Sequence, residues 1–198
     1  MKAASKRTTT DSAQDALALL TDDHKTVQKL FKDYEKLTQN DGEEEEKAAL
    51  AQQICTELTV HAQIEEEIFY PAVRDAIEET ELLNEAEVEH AGAKDLIAQI
   101  GAMAPGEELY DAKVTVLGEY VNHHIKEEQD EMFPKVRKAK LDTAALGAEL
   151  LERKQELQAE LGIGEAEEGE EEEGDEEEAG TAGQRKPASR TSKARAAK

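Results

Sequence analysis

The 198-residue chain predicts an all-α fold: an up-and-down antiparallel four-helix bundle, a shorter fifth helix and a disordered C-terminal tail. Three observations carry this prediction. Four segments place apolar side chains three or four residues apart, which is the spacing of a single helix face. The connections between them are short, and short connections join antiparallel neighbours. The composition is dominated by Ala, Glu, Leu and Lys, all strong helix formers, with four prolines and no tryptophan.

The first helix is expected from about Ser12 to Gln39, capped by Asp11 or Ser12 and closed by the turn "NDG". Its stripe is Leu17, Leu20, His24, Val27, Phe31, Tyr34 and Leu37. A second helix follows Gly42 and reaches about Glu79, aligning Leu50, Ile54, Leu58, His61, Glu65 and Ile68. The third, about Leu82 to Met103, aligns Leu83, Ala86, His90, Ala93, Ile97 and Ile100, and "APG" stops it. The fourth, about Glu107 to Leu141, aligns Val114, Leu117, Val121, His124, Glu128 and Met132. Pro71 and Pro134 lie deep inside the second and fourth helices. Each should kink or divide its helix, because the ring removes a backbone donor and clashes with the preceding turn. The fifth segment, "DTAALGAELLERKQELQAEL", has Ala144, Leu151 and Leu161 among its apolar positions and is expected along the outside of the bundle.

Residues 1–10 read as a flexible N-terminus and 11–163 as the bundle with its C-terminal helix. Residues 164–198 read as a disordered tail. That tail is first acidic, "EAEEGEEEEGDEEE", then basic, "QRKPASRTSKARAAK", and has too few apolar side chains to offset the entropy of ordering. Its partner is not legible. The net charge of -23 argues against nucleic acid as a partner of the bundle. No apolar run approaches the ~20 residues of a membrane helix, and the N-terminus does not read as a signal peptide. The single cysteine, Cys55, excludes an internal disulfide and fits a small buried side chain, so a cytoplasmic location is expected.

Two stretches share a skeleton. "HAQIEEEIFYP" spans residues 61–71 and "HIKEEQDEMFP" spans 124–134. In both, glutamate follows histidine by four residues, one helical turn, so the two side chains share a face. With His24 and His90, every stripe carries a central histidine, and in an antiparallel bundle the four lie at one depth. Carboxylates buried beside imidazoles need a cation. Six ligands exceed one tetrahedral zinc and suit two ions, with Glu65 and Glu128 between them. The competing reading of each residue alone is bland: a core histidine with one hydrogen bond, or an exposed helix pair. The coincidence of four histidines with a doubled spacing favours metal. Glu66, Glu67, Glu127 and Glu131 read as solvated faces, with one of them a candidate acceptor behind a ligand histidine. No one of Tyr34, Tyr70, Tyr110 and Tyr120 stands out.

In order, "DHKTVQKLF", "HAQIEEEIFYP", "EHAGAKDLI" and "HHIKEEQDEMFP" resemble the hemerythrin family, specifically bacterial HHE cation-binding domains, over about residues 15–140. The resemblance implies a bundle around a non-haem di-iron centre. His24, His61, His90 and His124 would be imidazole ligands, with Glu65 and Glu128 bridging two iron ions; imidazole and carboxylate also suit manganese or zinc. Oxygen-carrying hemerythrins use five histidines, one glutamate and one aspartate, and only four histidines here fall on motif positions. His123 points about 100° from His124 on a regular helix. It reads as an exterior residue or one that supports a ligand from behind, and as a fifth imidazole only if the helix is rotated or bulged there. Dioxygen, another diatomic or peroxide is the ligand implied, for sensing, storage or stress protection. A redox enzyme acting on oxygen, peroxide, nitric oxide or ferrous iron is the alternative. A metal-free acidic interaction module is the third.

Overall fold

The computed structural model describes residues 15–78 and 80–162. The expected flexible N-terminus, the caps Asp11 and Ser12, and the tail 164–198 lie outside the described residues. Helix α1 is Ala16–Gln39, starting later than Ser12 because Asp15 caps it. The Asp15 carboxylate accepts the N–H of Leu17 at 3.0 Å and of Ala18 at 3.4 Å, satisfying donors that a helix start leaves unpaired. After Asn40, Asp41 takes a left-handed backbone with φ of 51°, which turns the chain back at "NDG". Helix α2, Glu44–Ile64, opens with Glu44, Glu45 and Glu46, acids suited to the positive end of the helix dipole.

The second long helix does not run straight to Glu79. A widened π turn, Glu65–Phe69, follows α2 and leads into α3, Tyr70–Ala76. The fourth repeats the pattern: α5, Tyr110–Glu127, a π turn Glu128–Met132, then α6, Phe133–Ala139. In each, the N–H of the residue before proline reaches back five residues, Tyr70 to Glu65 and Phe133 to Glu128. The expected kink or break therefore takes the form of one extra residue in the turn. It eases the clash that the proline ring would make with a carbonyl in a regular helix. The register shifts with it. Ile68, expected on the stripe with Glu65, is half-buried, while Phe69 and Tyr70 take the interior.

Between these lies α4, Glu81–Gly101, and the chain closes with α7, Thr143–Glu160. Polar links at one end of the bundle fix the directions. Tyr34 near the end of α1 donates to Asp111 at 2.7 Å, and Lys47 near the start of α2 donates to the same carboxylate at 3.0 Å. Lys113 near the start of α5 donates to Gln99 near the end of α4 at 2.8 Å. Consecutive long helices are thus antiparallel, as the short connections predict. Helix α7 packs on α1, α2 and the first π turn through Leu146, Leu150 and Leu157. Of its expected apolar positions, Leu151 is half-buried, while Ala144 and Leu161 are exposed.

The core divides in two around the histidine level. Leu17, Leu20, Ile64, Phe69, Leu83, Met132 and Phe133 belong to one apolar cluster, and Val27, Ile54, Leu58, Leu117 and Val121 to the other. His24 falls between Leu20 and Val27 in sequence, and His61 between Leu58 and Ile64. Each fully buried Leu, Ile or Phe contributes about 1.5–3 kcal/mol, and this flanking apolar mass holds a polar layer in place. Cys55 is buried, as expected. Among the described residues, no strand forms and no helix is long and apolar enough to cross a membrane.

Candidate metal centre

The structure brings His24, His61, Glu65, His90, His124 and Glu128 together, and all six are buried. Two imidazole pairs face each other. The Nε2 atoms of His24 and His61 are 3.1 Å apart, and those of His90 and His124 are also 3.1 Å apart. Two lone-pair-bearing nitrogens this close favour a shared cation. The glutamates link the pairs. Glu65 Oε2 lies 3.2 Å from His61 Nε2 and 3.4 Å from His90 Nε2. Glu128 Oε2 lies 3.2 Å from His24 Nε2 and 3.7 Å from His124 Nε2. Donor atoms of His24, His61, Glu65 and Glu128 all fall within 4.8 Å of one another, as do those of Glu65, His90 and His124, so Glu65 belongs to both groups.

With every Nε2 turned inward, the outer nitrogens are held from behind. Glu66 Oε1 lies 3.0 Å from His90 Nδ1, and Glu89 Oε2 lies 2.8 Å from His124 Nδ1. The Gln129 amide is 2.9 Å from His24 Nδ1, and Asp23 Oδ2 is 3.5 Å from His61 Nδ1. For His90 and His124 a carboxylate on Nδ1 keeps the proton there and leaves the Nε2 lone pair free for a cation, the arrangement that metal-binding histidines use. Asp23 faces His61 Nδ1 at ion-pair distance, and Gln129 meets His24 Nδ1 with its amide nitrogen. Of these supports, Glu66 was flagged by the sequence only as one of four outer glutamates. Asp23, Glu89 and Gln129 were missed, because each serves an imidazole on another helix and carries no signal in its own.

The electrostatics point the same way. Burial and the neighbouring Glu128 charge push the Glu65 carboxyl well above the usual range. Burial acts on Glu128 too, but the His24 imidazole 3.2 Å away and the charge of His124 outweigh it and hold Glu128 down at about 2. Burial and the adjacent His124 push His90 down to about 4. Glu65 Oε1 and Glu128 Oε2 have no hydrogen-bond partner although both are fully buried. Orphaned carboxylate oxygens cost about 1–3 kcal/mol each in a closed interior, and cations would satisfy both. The residues present fit bound metal.

Tyr70 joins this layer, which the sequence did not single out. Its hydroxyl lies 3.1 Å from Glu128 Oε1, 3.2 Å from His90 Nε2 and 3.4 Å from His124 Nε2. The π turn brings it there. On a regular helix, five residues past Glu65 lies about 140° off its face, and absorbing one residue in the turn reduces that to about 40°. Its counterpart in the other half is Phe133, whose ring lies parallel to His24 with centroids 6.0 Å apart and planes within 7°. The two halves are therefore related in pattern and unlike in chemistry: one has a hydroxyl, the other a bare ring. His123 stays out. Its side chain is 64% exposed and faces Glu127 at 3.2 Å and Glu89 at 3.5 Å. The fourth helix does bulge, but only beyond His124, and His123 stands outside the group of six buried residues.

Residues 15–136 match the hemerythrin HHE cation binding domain. The chain belongs to this hemerythrin HHE family. The fold is shared with a hemerythrin HHE cation binding domain-containing protein from Mycobacterium kansasii, at a TM-score of 0.62 and 22% identity, covering 74% of this chain and 88% of that one. A protein of Nostoc sp. named as a DNA nickase is 31% identical over 112 residues. That match takes in 56% of this chain and 32% of the Nostoc protein, so the chain spans about a third of the length of the relative it matches. An HHE domain binds metal cations, and the buried histidine and glutamate groups are suited to that.

Proposed function

We propose that this HHE domain holds two iron ions between its imidazole pairs and binds dioxygen or a related small ligand beside them, in sensing, storage or stress protection in the cytoplasm. The observation that carries the reading is the pair of facing imidazole couples joined by Glu65 and Glu128. His24 and His61 would hold one ion and His90 and His124 the other, with Glu65 and Glu128 spanning both. Bound iron supplies Lewis acidity and one-electron redox steps. The chain supplies the rest. Asp23, Glu66, Glu89 and Gln129 orient the imidazoles, and Tyr70 holds a proton between Glu128 and the His90 and His124 pair. A cavity of about 30 Å3 opens beside the four imidazoles, lined by Val27, Leu58, Ile97, Val121 and Ile125. That is room for one or two water-sized molecules, and an apolar lining favours a small uncharged ligand over an ion.

The proton on Tyr70 favours a second reading, a redox enzyme that consumes oxygen, peroxide or nitric oxide, because such reductions take up protons at the site. The Nostoc relative adds no third. The match covers under a third of that protein, and a net charge of -23 repels phosphate. The test is the visible spectrum of the iron-loaded chain, oxygen admitted and then withdrawn. A band that appears with oxygen and reverses supports ligand binding. A band that decays while oxygen or peroxide is consumed over many turnovers supports the enzyme. No oxygen-sensitive band and no consumption would refute both.

A further inference from the structure

The four supports behind the imidazoles are not equivalent. Glu66, behind His90, is paired with Lys94, and those side chains are 33% and 47% exposed. Asp23, behind His61, is paired with Lys154 of α7, and here the exposures are 13% and 17%. Water screens the first pair and barely reaches the second. Asp23 Oδ1 takes the Lys154 ammonium while Oδ2 faces His61 Nδ1 at 3.5 Å, an ion-pair distance, and both of those facing atoms lack a hydrogen-bond partner. One carboxylate thus connects the fifth helix to a ligand imidazole. A second tie, Arg153 to Glu67 at 2.7 Å, fastens α7 to the π turn without touching an imidazole.

We propose that α7 is a positioning element of the metal centre: Lys154 fixes the Asp23 carboxylate that orients His61, and so sets the affinity for the ion at His24 and His61 alone. This rests on the two-ion reading above. Without Lys154, Asp23 is a mostly buried carboxylate lacking its cation. Its carboxylate is then free to turn toward water, and His61 Nδ1 loses the charged group that faces it and orients the ring. Losses of such outer partners weaken metal binding about 10–100-fold. His90 and His124 keep Glu66 and Glu89, whose other ion pairs run to Lys94 and His123 rather than to Lys154, and their ion should be unaffected.

The test is a zinc titration of the metal-free full chain, followed by calorimetry and chelator competition, for wild type, Lys154→Met, Lys154→Arg and Arg153→Met. The expected result is two ions in wild type, one of them weakened about 10–100-fold in Lys154→Met and restored in Lys154→Arg. Adding His124→Ala to Lys154→Met should abolish the ion that Lys154→Met spares. Arg153→Met separates positioning from mere docking of α7. It should lower the melting temperature and leave both affinities unchanged. The proposal is overturned if Lys154→Met binds both ions as wild type does, or if Lys154→Met and Arg153→Met weaken both ions alike. A wild-type chain that takes up no zinc would instead overturn the two-ion reading itself, and this proposal with it.

Discussion

Glu65 offers the sharpest separation of function from stability. Its side chain is fully buried, its Oε1 has no partner, and burial with the Glu128 charge raises its pKa well above the usual range. In metal-free protein, folding therefore raises the proton affinity of this group. Between the unfolded carboxyl pKa of about 4.3 and its higher folded value, the folded state holds one proton more than the unfolded state, so this group's contribution falls as pH rises. One proton corresponds to a slope of about 1.4 kcal/mol per pH unit. Glu65→Gln keeps the shape and removes the titration. Variant minus wild-type stability should then grow with pH above about 4.5, by up to about 1.4 kcal/mol for each unit, while other groups cancel. Urea melts of chelator-treated protein at pH 5.5 and 6.5 measure the difference, and the melting temperature gap should widen by about 3–6 °C. The same variant should lose metal, because a neutral amide is a poor bridge between cations. A flat difference with pH would refute the account of Glu65 as a carboxyl held protonated by its surroundings.

Other outcomes follow from single contacts. Tyr70→Phe deletes the hydroxyl that donates to Glu128 at 3.1 Å, and the metal-free protein should lose about 1.5–3 kcal/mol, the worth of a buried bond to a charged acceptor, in urea unfolding. Leu150→Ala empties a fully buried position under α7 and should cost about 2–5 kcal/mol in the same assay; a cost under 1 kcal/mol would mean α7 is not docked. Burial pushes the Cys55 thiol up to about 11, so a disulfide reagent at pH 8 should label the native protein only as fast as it unfolds. Rapid native labelling would contradict its burial.

The repetition of His, Glu and Pro at fixed intervals made the helices, the four imidazoles and both glutamates legible, since a spacing of four maps directly onto a helix face. The site's second layer was not legible by that route. Asp23 precedes His24 on α1 yet serves His61 on α2, and Gln129 on the fourth helix serves His24 on the first, so their roles depend on how helices are rotated against each other. Tyr70 was hidden for a different reason. Its approach to Glu128 depends on a π turn, and the turn arises from the ring of Pro71 acting on the backbone, with no mark in the apolar pattern. On α7, Leu146, Leu150 and Leu157 are buried where Ala144 and Leu161 were expected, because a stripe of small and polar residues leaves the phase open.

The central claim is that two cations sit between the imidazole pairs, shared by Glu65 and Glu128. Native mass spectrometry of the chain loaded anaerobically with ferrous iron tests it directly. Two irons per wild-type chain are expected, and fewer in both His61→Ala and His124→Ala at unchanged helical content. A single iron per wild-type chain, or two irons that survive both substitutions, would contradict it.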